Sequence, residues 1–207
     1  MSEAPVDALS RARAAALAEL RAAPVGKPWS AQAARLAGAF ALTGLGAAAV
    51  ALAASLAGWG RVLERASFIV GLLVIAALGG VVALAPRLRG ARAAVIGATP
   101  IFMAALVLSR GAGFTSTTPA WVCSASHVAL GTIPLAFALA ALRQCAWRWS
   151  RALAAGFGAG AAGALLGELA CRQGARHVLV HHVGAWLVIA AACTLISRRM
   201  RPRSFAP

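Results

Sequence analysis

Two cysteines and four histidines carry the chemistry that can be read in this chain. Cys123 lies in WVCSASH (121–127), with His127 one helical turn further on. Cys171 lies in ELACRQGARHVLVHH (168–182), followed by His177, His181 and His182. Residues four apart share a helix face, so Cys123 pairs with His127 and His177 with His181, while His182 points to another face. A thiol and an imidazole are ligands for soft or borderline ions. Cys123, His127, Cys171 and His177 or His181 would make a Cys2His2 set for zinc, cadmium or a similar ion, with His182 adjacent. The close CxxC spacing of structural zinc sites is absent. Three readings stay open: a thiol sensor of oxidants or metals, a structural disulfide between Cys123 and Cys171, and unpaired cysteines beside satisfied core histidines.

The elements that must position these groups are apolar runs. Of the 207 residues, 61% are hydrophobic and 12% charged, about half the charged fraction of a soluble domain. The runs cover 36–57, 66–85, 93–109, 122–142, 152–170 and 178–197, each close to the roughly 20 residues that cross a bilayer as a helix. The expected fold is an all-α integral membrane protein with a segment at 1–35, a six-helix membrane domain at 36–197 and a basic tail at 198–207. Pro100 would kink the third run. GFGAGAAGALLG (156–167) reads as a helix-packing face, because small residues let membrane helices approach closely.

The formal charge is +15, from 20 Lys and Arg against 5 Asp and Glu. With six crossings, Arg61, Arg65, Arg110, Arg172 and Arg176 fall on one side and the other fifteen basic residues on the side of the termini. The positive-inside rule then places both termini in the cytoplasm. This accounts for the charge without a nucleic-acid partner, and it puts Cys123 and Cys171 together at the outer face of a bacterial inner membrane. A cytoplasmic turn holding Arg143, Arg148 and Arg151 joins their two helices. Cys145 and Cys193 belong to the cytoplasmic half.

Glu168 is the one acid in or bordering the last three runs. An i,i+4 pair with Arg172 is the expected partner, and an ion-coupling carboxylate is the sharper alternative. No nucleophile–base–orienter set or glycine-rich phosphate loop stands out, so the chain reads as a non-enzyme with no required cofactor. A small metal or cation transport component, or a structural subunit of a membrane complex, is the alternative to a regulator.

Ahead of the first crossing, DALSRARAAALAELRAA (7–23) has the composition of a short amphipathic helix. Leu9, Leu17 and Leu20 fall roughly on one side, with Arg11, Arg13 and Arg21 around the rest. It suits either a lipid surface or a protein partner. Trp29 suits the headgroup level.

Three stretches resemble the NrsF family of bacterial integral-membrane anti-sigma factors: LAELRAAPVGKPWSAQAARL (17–36), AWVCSASHVALGTIPLAFALAALR (120–143) and ACRQGARHVLVHHVGAWL (170–187). The six-crossing layout extends the likeness over the chain. The resemblance implies a cytoplasmic face that holds an extracytoplasmic-function sigma factor. It also implies an outward cysteine pair, here Cys123 and Cys171, that senses metals or oxidants. His127 and His182 are the family-like histidines, while Cys145, Cys193 and His181 look like additions. In such a protein the N-terminal segment and the turn carrying Arg143, Arg148 and Arg151 would contact the sigma factor.

Overall fold

A computed structural model of the chain describes residues 5–22, 29–54, 58–111, 113 and 119–200. They are helical throughout, with no strand among them. Helix α1 spans Pro5–Ala22, α2 Trp29–Ala53, the short α3 Trp59–Glu64, α4 Ala66–Leu84, α5 Arg89–Leu108, α6 Ala120–Leu142 and α7 Trp149–Ala170. A last helix, α8, runs from Ala175 to Arg199 with a π turn inside it. Helices α2 and α4 to α8 are the six long and apolar enough to cross a membrane. The Trp29 end of α2 and the Arg199 end of α8 define one face, here called proximal; the opposite face is distal.

The first crossing begins seven residues before the apolar run does. Ser30 to Arg35 is Ala-rich and continues the helix although its polarity hides it from a hydropathy count. Likewise α5 starts at Arg89 instead of residue 93. The reason is Arg92, which is buried: its Nε donates to the Val82 carbonyl at 2.9 Å and its Nη2 to that of Ala85 at 2.7 Å. A guanidinium thus satisfies carbonyls at the end of α4 that no intrahelical N–H can reach. Pro100 sits inside α5 and Pro134 inside α6 without ending either helix.

Helix α7 is the axis of the fold. It packs against α2, α4, α5, α6 and α8, and these five also touch one another in a closed ring, α5–α4–α2–α6–α8–α5. Most of α7 is buried, against fewer than half the residues of any other span. Its glycines make this possible. A Cβ at Gly163 would stand 2.8 Å from the His127 carbonyl oxygen, and one at Gly158 3.0 Å from that of Ala76. Backbone meets backbone on both sides of the helix, so dispersion acts over short distances where lipid supplies no hydrophobic drive.

Polar side chains from the ring reach α7's own carbonyls. Trp186 Nε1 donates to the Phe157 carbonyl at 2.8 Å from a fully buried ring. Trp186→Phe keeps the ring's bulk and loses this bond. The expected loss is about 0.6 kcal/mol and at most about 1.7, measured by unfolding in bicelles; a loss far beyond that range would contradict the assignment. The other five tryptophans mark the two faces. Trp29, Trp147 and Trp149 are exposed at the proximal ends, Trp59 and Trp121 at the distal ends, as in the aromatic belts of membrane proteins.

Candidate functional site

The distal ends of α6, α7 and α8 converge on the thiols. Cys123 lies in the first turn of α6, and Cys171 is the residue at which α7 leaves helical geometry, at φ −88° and ψ 125°. Neither is in a disulfide. Their sulfurs, together with a ring nitrogen each from His177 and His182, all lie within 4.8 Å of one another. Cys171 and His182 are buried, Cys123 and His177 half-buried.

Of the candidate ligands Cys123, His127, Cys171, His177, His181 and His182, the set keeps four and leaves out His127 and His181, and the backbone explains why His182 is among them. In an α-helix a residue five places on is rotated by about 140°, which would turn His182 away from His177. Val178 to Val183 instead form a π turn, closed by the N–H of Gly184 donating to the Leu179 carbonyl. Bonding over five residues brings positions five apart onto one stripe. The His177 and His182 rings are accordingly 5.5 Å apart. His182 seats directly against Gly167 of α7, where any side chain would collide with its ring.

His127 does not join the set. It is buried, and its Nε2 lies 3.0 Å from the Gly160 carbonyl. A carbonyl only accepts, so Nε2 carries the proton there. His181 also stands outside: its Nδ1 is 2.9 Å from Ser124 Oγ and its ring lies tilted against that of His177, with centroids 4.7 Å apart. Cys145 and Cys193 lie in the proximal half; Cys145 Sγ is 3.9 Å from the Ala141 carbonyl and Cys193 is buried.

Beside the thiols lies an ionic network that the sequence reading did not foresee. Glu168 is 2% exposed and pairs with Arg65 of the α3–α4 junction and with Arg110 after α5, the latter at 2.5 Å. The expected pair with Arg172 is therefore not formed. Helix α7 ends at Ala170, so Arg172 is off the helical stripe that an i,i+4 contact needs. Arg65 also donates to Ser109 Oγ at 2.8 Å and stacks over Phe68. Arg61 and Arg110 both donate to the carbonyl of Cys171, at 3.1 and 2.8 Å. Burial pulls the Arg110 pKa below the usual guanidinium value; the Glu168 carboxylate opposes this and neighbouring Arg65 adds to it. Arg61, Arg65 and Arg110, with Glu64, Arg172 and Gln173, line a polar cavity of about 420 Å³. The carboxylate that an ion-coupling role requires is occupied by two guanidiniums.

Helix α1 has Leu9 73% and Leu17 44% exposed, with Arg11 and Arg13 exposed too. The side chains of Leu20 and Arg21 lie outside the described residues. Arg148 precedes α7 and is exposed, while Arg143 and Arg151 are half-buried. These basic residues and the thiol cluster sit at opposite ends of the same helices.

Five apolar spans packed around a sixth, axial one, with a cluster of thiols and imidazoles at one face, define a multi-pass helical membrane protein. No protein-family profile matches the chain, and no solved structure does. Over 201 residues, covering 97% of this chain and 91% of the relative, it is 43% identical to the carotenogenesis protein CarR of Myxococcus xanthus. The chain belongs to the CarR family. That kinship fixes the family at this level and does not single out the NrsF group.

Proposed function

We propose that the protein is a membrane-bound anti-sigma factor. It holds an extracytoplasmic-function sigma factor at the proximal, cytoplasmic face and lets it go when Cys123 and Cys171, at the outer face, meet a heavy metal or an oxidant. It acts by binding, with no catalytic step. The observation that carries the reading is the convergence of these two thiols, from two helices whose opposite ends bear Arg143, Arg148 and Arg151. Kinship to CarR and the resembling stretches support the regulatory role. The exposed leucines and arginines of α1 offer apolar contact and charge for a soluble partner.

Release requires that the partner's affinity differ between two states, and a 100-fold difference corresponds to about 2.7 kcal/mol. If peroxide acts by forming a disulfide, the two thiols give up two electrons and two protons, and the O–O bond breaks to yield water. The test is capture of the tagged protein from native membranes under reducing, metal-free conditions, with mass spectrometry of soluble partners. A sigma factor should be recovered, and cadmium or peroxide should remove it. With Cys123→Ser and Cys171→Ser combined, it should be recovered under all three conditions. Recovery of membrane proteins alone would sink the anti-sigma reading. Undiminished release from the double variant would sink the thiol trigger.

A further inference from the structure

A thiol switch needs two cysteines, yet the distal cluster contains two cysteines and two imidazoles. Three elements contribute, and one of them departs from α-helical geometry to do so. With Zn–S near 2.3 Å and Zn–N near 2.0–2.1 Å, the ligand atoms of a tetrahedral site stand roughly 3.3–3.8 Å apart. The four atoms here, all within 4.8 Å, need a contraction of about 1 Å along the longest edge to reach that geometry.

The electrostatics of the location point the same way. His182 is 5% exposed, and its Nε2 and that of His177 are buried without a hydrogen-bond partner among the described residues. A buried imidazole nitrogen left unsatisfied is costly, and a cation accepts its lone pair. Two thiolates balance a divalent charge, so the filled centre is neutral overall, as a site inside a membrane span requires. No carboxylate belongs to the cluster, so the donors are soft and select zinc or cadmium over magnesium or calcium. The surroundings hold the ligands in place: His181, itself bonded to Ser124, lies against His177, Gly167 makes room for the His182 ring, and Arg61 and Arg110 hold the Cys171 carbonyl.

We propose that Cys123, Cys171, His177 and His182 form a closed S2N2 centre for a zinc-class divalent cation, and that the metal-bound dithiolate is the ground state of the two cysteines. Binding releases two protons, one from each thiol, as the two metal–sulfur bonds form. The inference deepens the sensing part of the function proposed above and rests on it only for the regulatory consequence: cadmium would exchange into an occupied centre, and an oxidant would have to displace its ion.

The test uses Co2+ alone as the probe on the full-length, reduced protein purified in detergent. One Co2+ per chain should bind, with a thiolate-to-cobalt charge-transfer band and the intense visible bands of four-coordination, both removed by Zn2+. Cys123→Ser, Cys171→Ser and His182→Ala should each weaken binding by more than the roughly 100-fold reached by outer-sphere changes, while His181→Ala should retain the spectrum. His182→Cys adds a third thiolate and should raise the charge-transfer intensity, a gain that a merely unfolded variant cannot give. Absence of the charge-transfer band in the reduced parent protein, or an unchanged spectrum in His182→Ala and His182→Cys, would overturn the proposal. Sigma-factor capture separates it from the reading it deepens. A cobalt centre without capture would sink the anti-sigma reading alone, and metal-responsive capture without a cobalt spectrum would sink this one alone.

Discussion

Glu168→Ala should destabilise the protein by about 3–5 kcal/mol, the range for removing one partner of a buried ion pair. The carboxylate is buried with Arg65 on one oxygen and Arg110 on the other. Truncating it leaves two guanidiniums in a low-dielectric setting with only neutral acceptors, Ser109 Oγ and the Cys171 carbonyl. Glu64→Ala is the internal contrast. Glu64 pairs with Arg61 at 3.0 Å in the same cavity wall, but its side chain is 64% exposed. Water takes over from it, so that change should be nearly neutral. Reversible unfolding of both variants in bicelles, side by side, makes the comparison. Similar losses for the two would show that the Glu168 network is not buried in the way described.

The second large effect concerns how closely helices α6 and α7 approach. At Gly163 an added Cβ would stand 2.8 Å from the His127 carbonyl oxygen and 3.1 Å from the Gly131 backbone. Neither neighbour can escape by changing rotamer, so α6 must move. Gly163→Ala should cost about 1–3 kcal/mol as an overpacked core does, even though alanine is the better helix former by about 1 kcal/mol. Gly97→Ala isolates that opposing contribution, because nothing lies within 4 Å of the position. It should stabilise by up to about 1 kcal/mol. Opposite signs in the same unfolding assay are the expected result. Stabilisation by both substitutions would mean that α6 and α7 do not cross as closely as the structure has them.

The spans were legible because length and apolarity are local properties, and bilayer thickness fixes the length a span needs. The small-residue face at 156–167 was legible for a similar reason. That α7 would be surrounded on all sides was not, since its hydropathy is the lowest of the six spans and burial depends on the other five. The convergence of Cys123 and Cys171 followed from topology alone: two neighbouring antiparallel helices return to the same face. The family resemblance names His182, but periodicity does not select it, because a helical projection at fixed pitch puts His182 on the wrong side and nothing local in VLVHHV announces a π turn. For Glu168, the expectation of Arg172 relied on sequence nearness. Its partners are 103 and 58 residues away, and only the packing of α4 and α5 against α7 brings them within reach.

The axial position of α7 has a consequence for how the protein is made. Chains are synthesised from the N-terminus, so α2, α4, α5 and α6 precede α7, and four of the five walls of its groove exist before it leaves the ribosome. A helix so poor in bulky side chains gains little from lipid tails and much from those walls, so its place in the bilayer depends on earlier segments having already gathered. The ring closes only when α8 arrives. Until then Cys171 has reached its turn without His177 and His182, and the thiols stand beside an unfinished partner. The cluster is thus the last part of the molecule to be completed, and an assembled cluster certifies that the last three spans have come together.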